Sequence, residues 1–123
     1  MAQINPLFSV PYVTEQLADC ASLNQELREL FIRREAMGKR FANPNPYTPR
    51  NKELFESNFD LFAWPEACIA TLREFCLSRL ANTVAEINRY GAADMARLQV
   101  ITDAWYHVTR RGGFFGMHNH PMA

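Results

Sequence analysis

The chain has few cysteines, no excess of charge and no long apolar run, and each shortage argues against a class of protein. Its three cysteines form no Cys-x-x-Cys motif, which argues against zinc ribbons and thioredoxin-type redox centres. Thirteen basic residues balance thirteen acidic ones, so the chain lacks the electrostatic footprint of a nucleic-acid or membrane-surface binder. No apolar stretch approaches the roughly 20 residues of a membrane span. The first residues show no secretory signal, and we therefore expect a cytoplasmic globular protein.

Two segments carry the 3.6-residue apolar period of helices that pack against a sheet. The sequence predicts the first helix near residues 20–37, with Gly38 at the left-handed position that follows a helix end. It predicts the second near residues 65–89, with Pro65 at the first helical position and Gly91 as its terminator. Each helix has one broad apolar stripe, so we expect both to lie on the same side of a sheet.

From residue 98 onward the apolar period changes from about four to two, which is typical of a strand. One predicted face contains Leu98, Val100, Thr102, Ala104, Tyr106 and Val108, and the other contains Gln99, Ile101, Asp103, Trp105, His107 and Thr109. Residues 39–63, in contrast, contain several prolines that suit neither a helix nor a sheet ladder, and we expect them to be irregular. The predicted fold class is therefore α+β, with a helical layer over residues 14–91 and a sheet over 98–123.

Two adjacent glycines, Gly112 and Gly113, separate this strand from a second strand-like run at 114–118. A two-residue hairpin loop of the commonest type needs positive φ at both central residues, and glycine adopts positive φ without steric cost. The sequence therefore predicts a β-hairpin around the glycine pair.

The length of the hairpin loop decides which side chains meet. A two-residue loop pairs His107 with His118 and Trp105 with His120, so that all four side chains share one face. A three-residue loop shifts the pairing by one and places Met117 opposite His107. The sequence leaves both registers open.

The two histidines near the C-terminus form a His-x-His pair, His118 and His120. Side chains two residues apart on an extended segment point to the same side, about 6–7 Å apart at the backbone, and two imidazoles so placed can bind one metal ion. A metal site needs at least a third ligand. No upstream carboxylate stands at ligand spacing from the pair, and Asp103 lies two residues beyond Trp105 on the same predicted face.

The segment that contains these residues resembles a known family. Residues 103–121 read Asp-Ala-Trp-Tyr-His-Val-Thr-Arg-Arg-Gly-Gly-Phe-Phe-Gly-Met-His-Asn-His-Pro, with a tryptophan strand, a glycine turn and a His-x-His-Pro motif. This stretch resembles the 2-oxoglutarate-Fe(II) oxygenases, in particular a bacterial group with the same motif. Three shorter matches lie upstream, at Leu7-Phe8, Leu23-Asn24 and Glu56-Ser57-Asn58, so the resemblance covers the whole chain thinly and residues 103–121 well.

The resemblance implies a double-stranded β-helix (jelly-roll) sheet, Fe(II) as the metal and 2-oxoglutarate as the cosubstrate. It implies His118 as the first metal ligand, His120 as the second and Trp105 as a wall of the pocket. His107 either reaches the cosubstrate or has a structural role. The chain departs from the wider pattern, which has a carboxylate where His120 stands. It also contains no distal histidine and no basic residue beyond the motif, so we expect the N-terminal portion of one oxygenase-like domain over residues 1–123, inactive by itself.

Two alternatives to an oxygenase remain open. A cupin-like protein that binds a metal or a small ligand without catalysis has the same jelly roll and needs no cosubstrate. A helical interaction domain with incidental histidines needs no metal at all. The sequence predicts a small-molecule or peptide substrate, no nucleic-acid or membrane partner, and leaves a homo-oligomer open.

Overall fold

The computed structural model describes residues 11–118, which form a mixed α+β fold with helices on one side of a short antiparallel sheet. The elements are α1 (Ala21–Ala36), β1 (Leu54–Glu56), α2 (Ala67–Asn88), α3 (Ala92–Met95) and β2 (His107–Thr109), with 3₁₀ turns at Gly38–Arg40 and Leu61–Ala63. The α+β prediction is confirmed at this level. Within residues 11–118 the named strands form a single two-stranded sheet, and no jelly roll is formed there.

Helix α1 forms where the sequence predicts it. Its apolar stripe buries Leu27 and Leu30 against the rest of the protein. The helix ends at Ala36, and the next backbone N–H, of Met37, donates to carbonyls of the last turn. Gly38 follows with a φ of +62°, the left-handed conformation that glycine adopts without strain, as predicted.

Helix α2 also forms as predicted, although its two ends differ from the expectation. It begins at Ala67 with Glu66 as the N-cap, so Pro65 precedes the cap and is not the first helical residue. It ends at Asn88, and Arg89, not Gly91, takes the left-handed conformation at φ +56°. The backbone N–H of residue 90 bonds back to the carbonyl of residue 85, which satisfies the last turn without a glycine.

Strand β1 lies in the segment that we expected to be irregular, and that expectation is wrong for these residues. β1 pairs antiparallel with β2, with Leu54 opposite Thr109, Phe55 opposite Val108 and Glu56 opposite His107. The strand is only three residues long, and one of its two buried side chains is a glutamate, so it has no apolar alternation that a sequence pattern detects.

The predicted hairpin at the glycine pair is also wrong. The Gly113 N–H donates to the Arg110 carbonyl at 2.8 Å, which makes Arg111 and Gly112 the central residues of the turn. Gly112 has a φ of +81° and Gly113 has no positive φ. A positive φ at only the second central residue is the pattern of a type II turn, whereas the predicted loop needs it at both glycines.

The type II turn does not reverse the chain onto β2. After the turn, Phe115 forms an antiparallel bridge with Arg50, and the Gly116 N–H donates to the Pro49 carbonyl at 2.8 Å. The segment from β2 to Gly116 therefore continues along the same neighbour, residues 49–56, as a bulged strand. His107 consequently lies opposite Glu56, and neither predicted pairing, with His118 or with Met117, is formed.

The core lies between the helices and one face of the sheet, and Tyr106 is near its centre. The Tyr106 ring stacks on Phe31 with centroids 4.1 Å apart and contacts Phe55 and Trp64 at 5.8 and 5.9 Å. The buried core residues are Leu27, Leu30, Leu61, Trp64, Cys68, Ile69 and Tyr106, with Ala104 and Val108 packed against them.

The period-two pattern is confirmed only in the last part of the predicted strand. Ala104, Tyr106 and Val108 pack on the core, while Leu98 and Val100 are exposed. Because side chains alternate along a strand, Glu56 and His107 lie on the sheet face that points away from the helices. Among residues 11–118, no helix has both the length and the apolar character needed to cross a membrane.

Candidate functional site

A cavity of about 700 Å³ opens on the sheet face opposite the helices. It lies between the loop that follows the first 3₁₀ turn and the two segments that flank the glycine turn. Its walls are formed by Asn43, Tyr47, Thr48, Pro49, Glu56, Phe59, Asp103, Trp105, Phe115, Met117 and His118. A concave site of this volume, with aromatic walls and a few polar groups, has the usual properties of a small-ligand pocket.

Glu56 forms the floor of this cavity and is 5% exposed. Its Oε1 lies 2.7 Å from Nη1 of Arg50 and accepts a hydrogen bond from the Asn43 side-chain amide. Its Oε2 accepts a hydrogen bond from Nε2 of His107 at 3.1 Å. A buried carboxylate is stable only when it is paired and hydrogen-bonded, and here both oxygens are.

The backbone holds the partners of Glu56 in place. Asn43 donates its own N–H to the Glu56 carbonyl at 2.9 Å and accepts the Asn45 N–H at its side-chain oxygen. His107 lies opposite Glu56 in the ladder between β1 and β2. Main-chain hydrogen bonds therefore hold Asn43 and His107 beside Glu56. Together with Arg50, these residues form what we call the Glu56 cluster.

The partners of Glu56 also set its protonation. Burial raises the pKa of the carboxyl. The hydrogen bonds from Asn43 and His107 and the charge of Arg50 lower the pKa by more than burial raises it, so the pKa lies below the ordinary value of 4.5. Glu56 is therefore ionised at neutral pH. Its charge holds the Nε2–H tautomer of His107 towards the carboxylate, because a carboxylate only accepts.

Two of the residues predicted for the site line the cavity, and a third lies beside its floor. Trp105 lies on the wall, with its ring edge-on to Phe59 at 5.0 Å. His118 lies on the rim, with Nδ1 3.1 Å from the Gly116 carbonyl. His107 belongs to the Glu56 cluster and does not reach the same position as His118.

The ring of Phe115 contacts both described histidines. Its centroid is 4.6 Å from the imidazole of His107 and 4.9 Å from that of His118. The structure therefore brings His107 and His118 to one region of the molecule through a shared aromatic contact, and not through the strand pairing that the sequence suggested.

The second member of the His-x-His pair, His120, lies outside the described residues. Within residues 11–118, no three His, Cys, Asp or Glu side chains are placed to hold one metal ion. The described residues alone therefore do not make a metal site. An iron centre here needs His118, His120 and at least one further ligand.

The charges of the described lining do not match the dianion 2-oxoglutarate. The lining contains the carboxylates Glu56 and Asp103 and, among the residues that the structure describes, no lysine or arginine. Arg50 is close to the floor, but Glu56 already engages it. A cosubstrate clamp of the expected kind would have to come from elsewhere.

Sequence reasoning missed Asn43, Arg50 and Glu56. The Glu56-Ser57-Asn58 stretch is one of the three short matches to the family, and nothing local in it predicts a buried carboxylate. The signal is the pairing of residue 56 with residue 107, which is a contact across about fifty residues and is visible only when the ladder is known. Comparison with known proteins adds no signal, since no family model, curated protein or solved structure matches this chain.

Proposed function

We propose that this chain is part of an Fe(II)/2-oxoglutarate-dependent oxygenase of the hydroxylase type. The observation that supports the proposal is the cavity that contains both Trp105 and His118, which are the pocket wall and first metal ligand implied by the resemblance. On this proposal the sheet of β1 and β2 is the start of a jelly roll, residues 1–123 belong to one domain, and the protein works in the cytoplasm.

In the proposed site, each described residue has a definite task. His118 presents an imidazole at the rim of the cavity, and His120 is the second ligand. Trp105 and Phe59 form an apolar wall against which the substrate packs. Glu56 fixes the orientation of His107, whose ring lies behind Phe115.

The bound iron supplies oxygen activation, which protein side chains do not provide. The third ligand and the cationic group that binds 2-oxoglutarate come, on this proposal, from residues outside this sequence. No part of the proposal assigns these two tasks to residues 11–118, because the described lining offers neither.

The test uses the protein expressed from its complete reading frame. Iron content is measured after anaerobic loading with Fe(II), and turnover is measured as succinate formed from 2-oxoglutarate. We expect His118→Ala to lose both, and His120→Asp to keep or improve iron binding because it restores the usual two-histidine, one-carboxylate set.

Met117→Leu is the matched control. Met117 is the fully exposed residue next to His118 on the rim, and its substitution removes no imidazole. If His118→Ala binds iron and forms succinate as well as the control, the oxygenase proposal is wrong.

A cupin-like binder without catalysis is the second candidate, and one observation favours it. The Glu56 cluster is complete within the described residues and needs no metal to hold its geometry. Ligand binding without succinate formation by the iron-loaded complete protein would select this candidate over the oxygenase.

A further inference from the structure

Two aromatic rings in contact and a carboxylate line the same cavity. The rings of Phe59 and Trp105 have centroids 5.0 Å apart and planes at 62°, so that they form a corner. Asp103 lines the same cavity, two residues before Trp105. We call these three residues the aromatic corner.

The carboxylate of the corner differs from the one on the floor. The charge of Glu56 is paired with that of Arg50, which lies 2.7 Å away, and the carboxylate also accepts a hydrogen bond from His107. Asp103 is exposed and, within residues 11–118, forms no ion pair or hydrogen bond. Because the described lining contains no lysine or arginine, its net charge near Asp103 is negative.

We propose that the aromatic corner binds the alkylammonium group of a small amine ligand. A cation is attracted to the faces of tryptophan and phenylalanine, and aromatic corners and cages are the usual receptors of quaternary ammonium groups. Asp103 adds a direct charge partner that neither ring provides. The apolar stem of the ligand extends over Phe115 and Pro49 towards His118.

This inference names the substrate class of the proposed oxygenase and rests on that proposal only for the reaction. If the protein is an oxygenase, the aromatic corner holds the ammonium group of the substrate, and a carbon of the apolar stem lies near His118. Binding at the corner requires neither iron nor 2-oxoglutarate, so the binding test and the iron test fail independently of each other.

The experiment compares choline with 3,3-dimethylbutan-1-ol, an uncharged molecule of nearly the same shape. Affinity for the metal-free chain is measured by calorimetry, and the site is located from the indole N–H signals of the two tryptophans by NMR. We expect choline to bind about tenfold more tightly than the uncharged molecule, the ratio that a partly exposed cation–π contact and one carboxylate supply. We expect the Trp105 signal to move and that of the buried Trp64 to stay.

Two variants and a matched control test the residues. Asp103→Asn should weaken choline binding about threefold, its share of the tenfold preference, and leave the binding of the uncharged molecule nearly unchanged. Trp105→Leu should weaken the binding of both molecules, and that of choline more. Glu74→Gln removes the same charge from an exposed position on α2 outside the cavity and should have no effect. Because Asp103 is exposed, its variant folds even if Trp105→Leu does not.

Equal affinity for choline and the uncharged molecule would overturn the proposal, and so would unchanged choline binding by Asp103→Asn. An alkylammonium group belongs either to a free amine or to a methylated lysine of a peptide, and a short peptide with trimethyllysine separates the two. If choline binds more tightly than the peptide, the result supports the free amine that we propose. If the peptide binds more tightly than choline, the ammonium group is recognised but the assignment to a small amine is overturned.

Discussion

Glu56 is a buried carboxylate whose charge is balanced by Arg50 and which accepts a hydrogen bond from His107, so its removal leaves the Arg50 charge uncompensated. Glu56→Gln keeps the shape and the bond from Asn43 but leaves the Arg50 guanidinium without its counter-ion. We expect a loss of about 3 kcal/mol in the free energy of unfolding, measured by urea denaturation, the lower end of the loss for half-broken buried pairs because Arg50 is partly exposed. Glu74→Gln, an exposed glutamate, should change it by less than about 0.5 kcal/mol.

The lowered pKa of Glu56 predicts how stability depends on pH. The unfolded chain takes up a proton near pH 4.5 and the folded protein only below it, so the carboxylate contributes stability above pH 4.5. This contribution is lost as the pH falls through the folded pKa. We expect the free energy of unfolding of the wild type to fall more steeply below pH 4.5 than that of Glu56→Gln, and parallel curves would contradict the assignment.

Tyr106 makes the opposite prediction at high pH. Burial raises its pKa from 10.0 to about 12, opposed by the charge of Arg34 and helped by that of Glu35. Absorbance at 295 nm should therefore show one phenol that ionises near pH 12, and Tyr106→Phe should remove that step. Because the unfolded chain ionises first, the stability due to Tyr106 is lost as the pH rises from 10 to 12. A titration with the same high-pH step in the variant would contradict this.

Among the elements, the helices could be predicted from the sequence because their signal is local. The stripe of Leu27 and Leu30, and Gly38 after the last turn, all lie within a few residues of one another. The faces of Trp105 and Tyr106 were also predictable, since alternation is local as well. The family resemblance implied Trp105 as a pocket wall and His118 as a metal ligand, and both side chains line the cavity.

The strand pairing could not be predicted, because it joins residues about fifty positions apart. β1 places the buried, polar Glu56 opposite His107, and polar residues in a proline-rich segment do not suggest a strand. The glycine pair favoured a hairpin because each glycine can adopt positive φ. The sequence does not show which of the two glycines actually adopts it.

The glycine turn itself can be tested by substitution. Gly112 has positive φ and open space around its Cβ position, so Gly112→Asn should cost little, while Gly112→Val should cost about 1–2 kcal/mol in the free energy of unfolding. Gly113 has no positive φ, but an added Cβ would lie 2.7 Å from Thr109 Cγ2 and 3.0 Å from the Glu53 carbonyl.

At Gly113 any side chain meets these atoms, so Gly113→Asn and Gly113→Ala should lower the free energy of unfolding by similar amounts. At Gly112, in contrast, the loss depends on whether the new residue tolerates positive φ. Gly91→Ala is the control, because its Cβ would make only an ordinary contact and its φ is negative. In a two-residue hairpin both glycines would tolerate asparagine, and that result in urea denaturation would support the hairpin over the type II turn.

For the whole molecule, the apolar stripe of α2 extends further than the core that covers it. Ile69, in the first turn of the helix, is fully buried, whereas Leu80 and Ile87 on the same stripe are 45% and 50% exposed. Leu98, Val100 and Ile101 follow α3 and are exposed as well. The apolar stripe runs along the whole of α2, but the core covers only about half of it. The uncovered half exposes apolar surface that favours association.

We therefore expect the chain to self-associate, with an average mass that rises with concentration in sedimentation equilibrium. The double variant Leu80→Lys and Ile87→Lys should lower this mass towards that of the monomer, since charge on the stripe opposes contact between copies. Tyr47→Lys, at an exposed residue that lines the cavity and does not belong to α2, controls for the added positive charge. If the wild type stays monomeric at every concentration, or if the control lowers the mass as much as the double variant, the uncovered half of α2 does not drive association.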